Sequence, residues 1–227
     1  MQISKQTFDI LKNFSEVNSG ILINPGSKLE TISTMKNILV SADISETFET
    51  EFAIYDLPEF LNLASGEVFL GAEYTFNEES ISVVKDQAKS RYFYADPSTV
   101  VSPQKAITFP DPEVTFKLTQ NNITTVKTMS GVLGKYDLTI KSADTDILLS
   151  IQDKKDVGSN TFDLVVGDNI DSQEFVFYFK IENLKLIKGD YIVEISSQGI
   201  SHFKHETLPI EYWIALEPDS TYGEENA

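Results

Sequence analysis

From Ser4 to Asn18 the apolar residues recur at helical spacing. At about 100° per residue, Phe8, Ile10, Leu11, Phe14 and Val17 gather on one half of a cylinder, while Lys5, Asp9, Lys12 and Glu16 share an arc of about 60° on the other. This predicts a half-buried helix, capped by Ser4 and stopped by Asn18-Ser19-Gly20. Short strands follow, with turns at Asn24-Pro25-Gly26 and near Lys36-Asn37, and strand patterns continue through 38–44 and 48–55. Asp56 then caps a short helix, Leu57–Ala64, with Pro58 in its first turn, where a missing N–H costs nothing. Strand patterns return at 68–76, 81–84 and 91–94.

Residues 95–112 break both periods. Four of the eight prolines (Pro97, Pro103, Pro110 and Pro112) lie there. Proline fixes φ, lacks a donor and biases its predecessor toward extended backbone, which excludes a helix or a central strand. Val100, Val101, Ile107 and Phe109 are too apolar for a free tether, so the stretch is expected to be a strap lying on a hydrophobic surface.

Beyond the strap the order of elements returns. A strand pattern at 114–118 leads to a capping Thr119 and a helix ending near Gly131 or Gly134. A displacement of 115 residues sets Ser4 on Thr119, Phe8 on Ile123, Leu11 on Val126, Lys12 on Lys127, Phe14 on Met129 and Val17 on Val132. Independently, Glu51-Phe52-Ala53-Ile54-Tyr55 ahead of one short helix matches Glu174-Phe175-Val176-Phe177-Tyr178 ahead of another at 181–188. Strand patterns at 136–141, 147–151, 161–166, 191–196, 200–205 and 210–216 complete the second half. Two correspondences in one order predict a duplicated α+β chain, with domains at 1–95 and 113–227 and the strap at 96–112.

Composition then narrows the chemistry. The 227 residues include no cysteine, which excludes disulfides and thiolate metal sites. No secretory signal pattern opens the chain and no apolar run approaches the ~18 residues of a membrane helix, so a soluble chain in the cytoplasm is expected. The net charge of −17 argues at first against nucleic acid. Its distribution reopens the question, between helices that tolerate phosphate and an acidic surface that merely serves solubility. The four predicted helices (4–18, 56–65, 119–134 and 180–188) hold six basic and five acidic residues, a net of +1, and the remainder carries −18.

No catalytic constellation emerges, and no enzyme activity, metal or cofactor is expected. His202 and His205 stand three apart on a predicted strand and so face opposite ways. Asp144 with Asp146, and Asp168 with Asp171, lack the glycine and terminal glutamate of a calcium loop.

Several blocks together resemble the T-even-type bacteriophage sliding clamps, the DNA polymerase processivity factors. They are Leu11-Lys12-Asn13-Phe14 with Asn18-Ser19-Gly20-Ile21, Ala53-Ile54-Tyr55-Asp56-Leu57 with Phe60-Leu61, Ala95-Asp96-Pro97-Ser98-Thr99-Val100-Val101 with Phe109-Pro110, and Ala215-Leu216-Glu217 with Asp219-Ser220-Thr221. The resemblance implies two clamp domains, each of two helices backed by antiparallel sheets, and a homotrimer closed head to tail around double-stranded DNA. It implies sequence-independent, topological binding that makes the polymerase processive. Lys5, Lys12, Lys127, Lys185 and Lys188 become candidates to face the duplex, with Lys180 a weaker one. In clamps generally an apolar pocket takes a partner's tail, here a DNA polymerase C-terminal tail. Its candidates are Val101, Pro103, Ile107 and Phe109 with Trp213, Ala215, Leu216 and Pro218. The subunit interface is expected at edge strands carrying Tyr92 and Phe93 on one protomer and Phe175 and Phe177 on the next. An ATP-dependent clamp loader and late-transcription factors join the implied partners. The competing expectation is a β-rich structural protein of phage assembly. It shares the strands and the acidity but does not predict acid-depleted helices.

Overall fold

A computed structural model describes residues 1–156, 158–169 and 172–223. The chain divides into two compact units, Met1–Ala106 and Ile107–Ala227.

The first unit opens with α1 (Lys5–Val17). Ser4 caps it, its hydroxyl accepting from the Thr7 amide at 3.2 Å. Asn18 ends it: its amide donates to the Phe14 carbonyl, and its side chain donates to the carbonyls of Ile32 and Val101, both at 2.9 Å. There follow β1 (Ile21–Ile23), β2 (Gly26–Ile32), β3 (Ile38–Phe48), β4 (Phe52–Ile54), α2 (Leu57–Ala64), β5 (Glu73–Phe76), β6 (Ser80–Lys85) and β7 (Ala88–Phe93). β1 pairs with β4, β2 with β3, and β5, β6 and β7 form an antiparallel sheet in that order. α1 packs on α2, and Ile10, Leu11, Phe14 and Val17 of the one and Leu57, Phe60, Leu61 and Ala64 of the other are all buried. Each large side chain so covered contributes about 1.5–3 kcal/mol.

The second unit contains β8 (Val114–Leu118), α3 (Gln120–Leu133), β9 (Asp137–Ala143), β10 (Asp146–Gln152), β11 (Phe162–Asp168), β12 (Phe175–Lys180), β13 (Tyr191–Ser196), β14 (Ile200–His205), β15 (Ile210–Ala215) and β16 (Thr221–Tyr222). β11-β10-β9-β12-β16 form one antiparallel sheet, and β15-β14-β13-β8 run antiparallel in that order. α3 begins in a capping box between Thr119 and Asn122 and closes at Gly134, whose φ of 63° is the left-handed conformation that glycine adopts freely. Ile123, Val126 and Ser130 bury its inner face.

The fold is the α+β arrangement expected, with one element changed. Residues 180–188 are not an α-helix: a single 3-10 turn, Ile181–Asn183, gives way to irregular backbone. Side chains from other elements take the hydrogen bonds a helix would have made. Ile187 donates to the Tyr212 hydroxyl at 3.0 Å and accepts from Tyr191 at 2.5 Å, and the Gly189 amide donates to Gln120 at 2.8 Å. A Cβ at Gly189, where φ is 152°, would stand 2.0 Å from His205 Nε2. The ring can therefore approach the loop only over glycine.

Residues 96–112 carry no strand or helix beyond one 3-10 turn, Pro97–Thr99. The boundary between the units falls inside it.

Candidate nucleic-acid interface and partner surfaces

In the first unit the candidate basic residues stand on the outer face of α1. Lys5 is exposed and pairs with Asp9 one turn on at 2.7 Å, an arrangement that contributes only a few tenths of a kcal/mol. Lys12 is exposed, on the same face. Beside them the ends of α1 and α2 leave a cleft of about 470 Å³ lined by Phe8, Leu61 and Leu70 as well as the two lysines.

Four residues of β3 and α1 fix where this face begins. Glu46 on β3 is buried, and its carboxylate accepts from the Thr7 hydroxyl at 2.6 Å, from the Ser45 hydroxyl at 3.0 Å and from the Ser4 amide. Burial alone would push its carboxyl upward, but these donors outweigh it and hold it below the ordinary glutamate value. An anion thus sits at the positive end of α1.

In the second unit Lys127 projects from α3 and donates to the Leu184 carbonyl at 2.7 Å, which ties the helix to the loop that replaces a helix. That loop carries Lys185, half-buried, and Lys188, exposed. Lys180 is engaged elsewhere, with Asp137 at 2.5 Å. Asp137 is held below its ordinary value: burial raises it, but the bonds from Lys180 and the Lys154 amide prevail.

The partner-surface candidates divide between the units. Val101 and Pro103 belong to the first, Val101 exposed and Pro103 half-buried. In the second, Ile107 and Pro218 are exposed, while Phe109, Trp213, Ala215 and Leu216 are half-buried. Sequence reasoning missed what Phe109 and Trp213 share. The His202 ring lies flat on the Trp213 indole, centroids 4.9 Å apart and planes at 4°, and Phe109 approaches the same ring at 5.3 Å. Only strand register brings 202 opposite 213, and no local pattern announces it.

The edge strands differ from expectation on one side. β7 is an outer strand of its sheet. It exposes Lys89, Arg91 and Phe93, the last at 64%, while Tyr92 packs on Phe60 and donates to the Asp56 carbonyl at 3.1 Å. β12 is an interior strand, flanked by β9 and β16. Alternation turns Phe175 and Phe177 inward, at 2% and 0% exposure, where they stack on each other and on Tyr222. These two residues are core and offer no edge. The outer strands of that sheet among the described residues are the two-residue β16 and the longer β11, on which Val165 is 55% exposed between Asp163 and Asp168.

Among the described residues no cluster of three histidine, aspartate or glutamate side chains could hold a metal, and no helix is long and apolar enough to cross a membrane. Asp171, one half of a candidate calcium pair, lies outside the described residues.

Residues 4–102 match the family model described as DNA polymerase processivity factor, and residues 115–218 match the one described as gp45 sliding clamp, C terminal. The chain is 34% identical over 223 residues to the sliding clamp of Vibrio phage KVP40, a span covering 96% of this chain and 99% of the relative. It is 31% identical over 230 residues to the sliding clamp of Enterobacteria phage T4, covering 98% and 99%. Among solved structures it is similar to A. fulgidus PCNA, in a structure with the C-terminal region of FEN-1 bound. The TM-score is 0.70 at 12% identity, over 97% of this chain and 98% of that one.

Proposed function

The chain belongs to the sliding clamp family of T4-like bacteriophages, and on that footing we propose how its residues divide the work of holding a polymerase to DNA. A clamp needs no catalytic group. It forbids dissociation topologically and leaves translation along the duplex free. The phage-assembly alternative is not favoured by these relatives.

The observation that carries the proposal is the distribution of charge over the fold. The strands and loops hold the excess of acid behind the net charge of −17, while α1, α2, α3 and the 180–188 segment carry slight positive charge. Lys5, Lys12, Lys127, Lys185 and Lys188 face the duplex in this reading. They are few because each phosphate neutralised adds binding that also impedes sliding. A lysine is a hydrated point charge on a flexible stem and reads no base sequence. The acidic outer surface keeps free duplex from binding outside the ring.

Ring closure then falls to two edges. β7, with α2 behind it, presents Lys89, Arg91 and Phe93; β11, with α3 behind it, presents Asp163, Val165 and Asp168. We place these two edges against each other on neighbouring protomers, where opposite charges and two exposed apolar side chains are complementary. Such a contact is heterologous, and it makes a closed homotrimer if its rotation closes. Phe93→Glu and Val165→Glu each remove an apolar contribution of about 1.5–3 kcal/mol per interface. Sedimentation should then shift each variant from three times 25.4 kDa toward 25.4 kDa. An unshifted trimer in both would place the interface elsewhere.

The polymerase tail binds, in this reading, over Ile107, Phe109, Trp213, Ala215, Leu216 and Pro218 of the second unit. The single tryptophan supplies the rigid aromatic anchor that such surfaces favour. Loading requires opening the ring, which an ATP-dependent clamp loader would perform, and late-transcription factors would be further partners.

A further inference from the structure

Two side chains of α3 hold opposite ends of the segment that follows Asn183. Lys127 donates to the Leu184 carbonyl at 2.7 Å, and the Gln120 side-chain oxygen accepts from the Gly189 amide at 2.8 Å. Seven positions, close to two helical turns, separate the two residues, so both leave one face of α3, about 10.5 Å apart along its axis. The far end is fastened twice, because the Asp190 carboxylate accepts from the Gln120 amide at 2.8 Å.

Between these points runs Leu184-Lys185-Leu186-Ile187-Lys188-Gly189. Strand side chains meet it from the other direction: Tyr212 and Tyr191 at Ile187, and His205 at the Lys188 carbonyl, 3.1 Å away. Leu184 is buried, Lys185 half-buried and Lys188 exposed. Neither α3 nor this segment contains an acidic residue. An irregular segment has no ladder of its own, so its order depends on such side chains.

We infer that Gln120 and Lys127 are positioning residues, which hold Lys185 and Lys188 in fixed relation to α3. The inference rests on the reading that these lysines face the duplex, and it gives the uncharged Gln120 a part in DNA binding that charge alone would never assign to it. Lys127 gains a second task. An ammonium group has three N–H donors, and spending one on a backbone carbonyl leaves its charge intact for the duplex. Cations held in place before the duplex arrives spare the cost of ordering the segment on binding.

The decisive substitution alters no charge. Gln120→Leu removes the acceptor for Gly189, and Lys127→Met keeps an apolar stem while removing the donor to Leu184. Hydrogen exchange is read on the protein without DNA, at the Lys185 and Ile187 amides. Their own acceptors, the Asn183 carbonyl and the Tyr212 hydroxyl, are untouched by either substitution. Exchange there should quicken about 3- to 10-fold in both variants, while the paired amides of β13 and β14 keep their rates. Affinity for a short duplex, titrated at low salt, should fall about 2- to 10-fold in Gln120→Leu although the net charge is unchanged. Lys12→Met, in the first unit, serves as the control for the duplex-facing reading. Unchanged exchange, or equal quickening throughout the second unit, would overturn the positioning role. Faster local exchange with unaltered affinity in Gln120→Leu, while Lys12→Met binds more weakly, would also overturn it and leave the clamp reading standing. Unaltered affinity in all three variants would instead remove the lysines from the duplex, and the inference would fall with that reading.

Discussion

Replacing Glu46 by glutamine changes one atom of a buried side chain and should loosen the start of the helix that carries Lys5 and Lys12. The carboxylate accepts from Thr7, Ser45 and the Ser4 amide. Glutamine retains one acceptor oxygen and turns the other into an NH₂ donor, so at least one charge-assisted bond is lost, about 1.5–3 kcal/mol. The missing anion at the helix N-terminus adds about 0.3–1 kcal/mol. If the loss is expressed in local opening of α1, amide exchange in its first turn should accelerate roughly 10- to 100-fold. The pH dependence has a definite sign. The folded-state value of Glu46 lies below the ordinary 4.5, so its contribution is complete above 4.5 and disappears as pH falls through the depressed value. The stability gap between wild type and Glu46→Gln should therefore be constant near neutrality and close on acidification. Unchanged exchange in α1, or a gap that widens in acid, would refute this account of the cap.

Two further outcomes follow from the assigned surfaces. Lys12→Glu with Lys127→Glu should weaken loading onto primed DNA and flatten the salt dependence of binding by roughly 0.9 in the logarithmic slope for each phosphate no longer neutralised; intact loading and processive synthesis would remove these lysines from the duplex-facing set. Ile107→Glu with Leu216→Glu should cost a polymerase-tail peptide about tenfold or more in affinity, read by calorimetry, and unchanged binding would move the tail elsewhere.

Elements defined by their own residues were legible in the sequence. α1 and α3 declare their buried faces by period and their starts by Ser4 and Thr119, and the strap declares itself by proline. What could not be read depends on residues distant in the chain. Residues 181–188 have helical amphipathicity, yet Tyr191, Tyr212, Gln120 and His205 hold the backbone in another path. The aromatic run of β12 resembles an exposed interface edge, and the two-residue β16 that covers it leaves almost no sequence signal. Glu46 reaches α1 from β3, across 39 residues from Thr7, and no cap motif includes it. The His202 stack requires the register of two strands and the course of the strap at once.

The central claim is topological and is tested most directly by comparing retention on nicked circular and linearised duplex, loaded with the cognate loader and ATP. The account predicts that the protein stays on the circle through a high-salt wash and is lost when the same DNA is cut. Equal retention on both, with a loader shown to be competent, would contradict a ring around DNA.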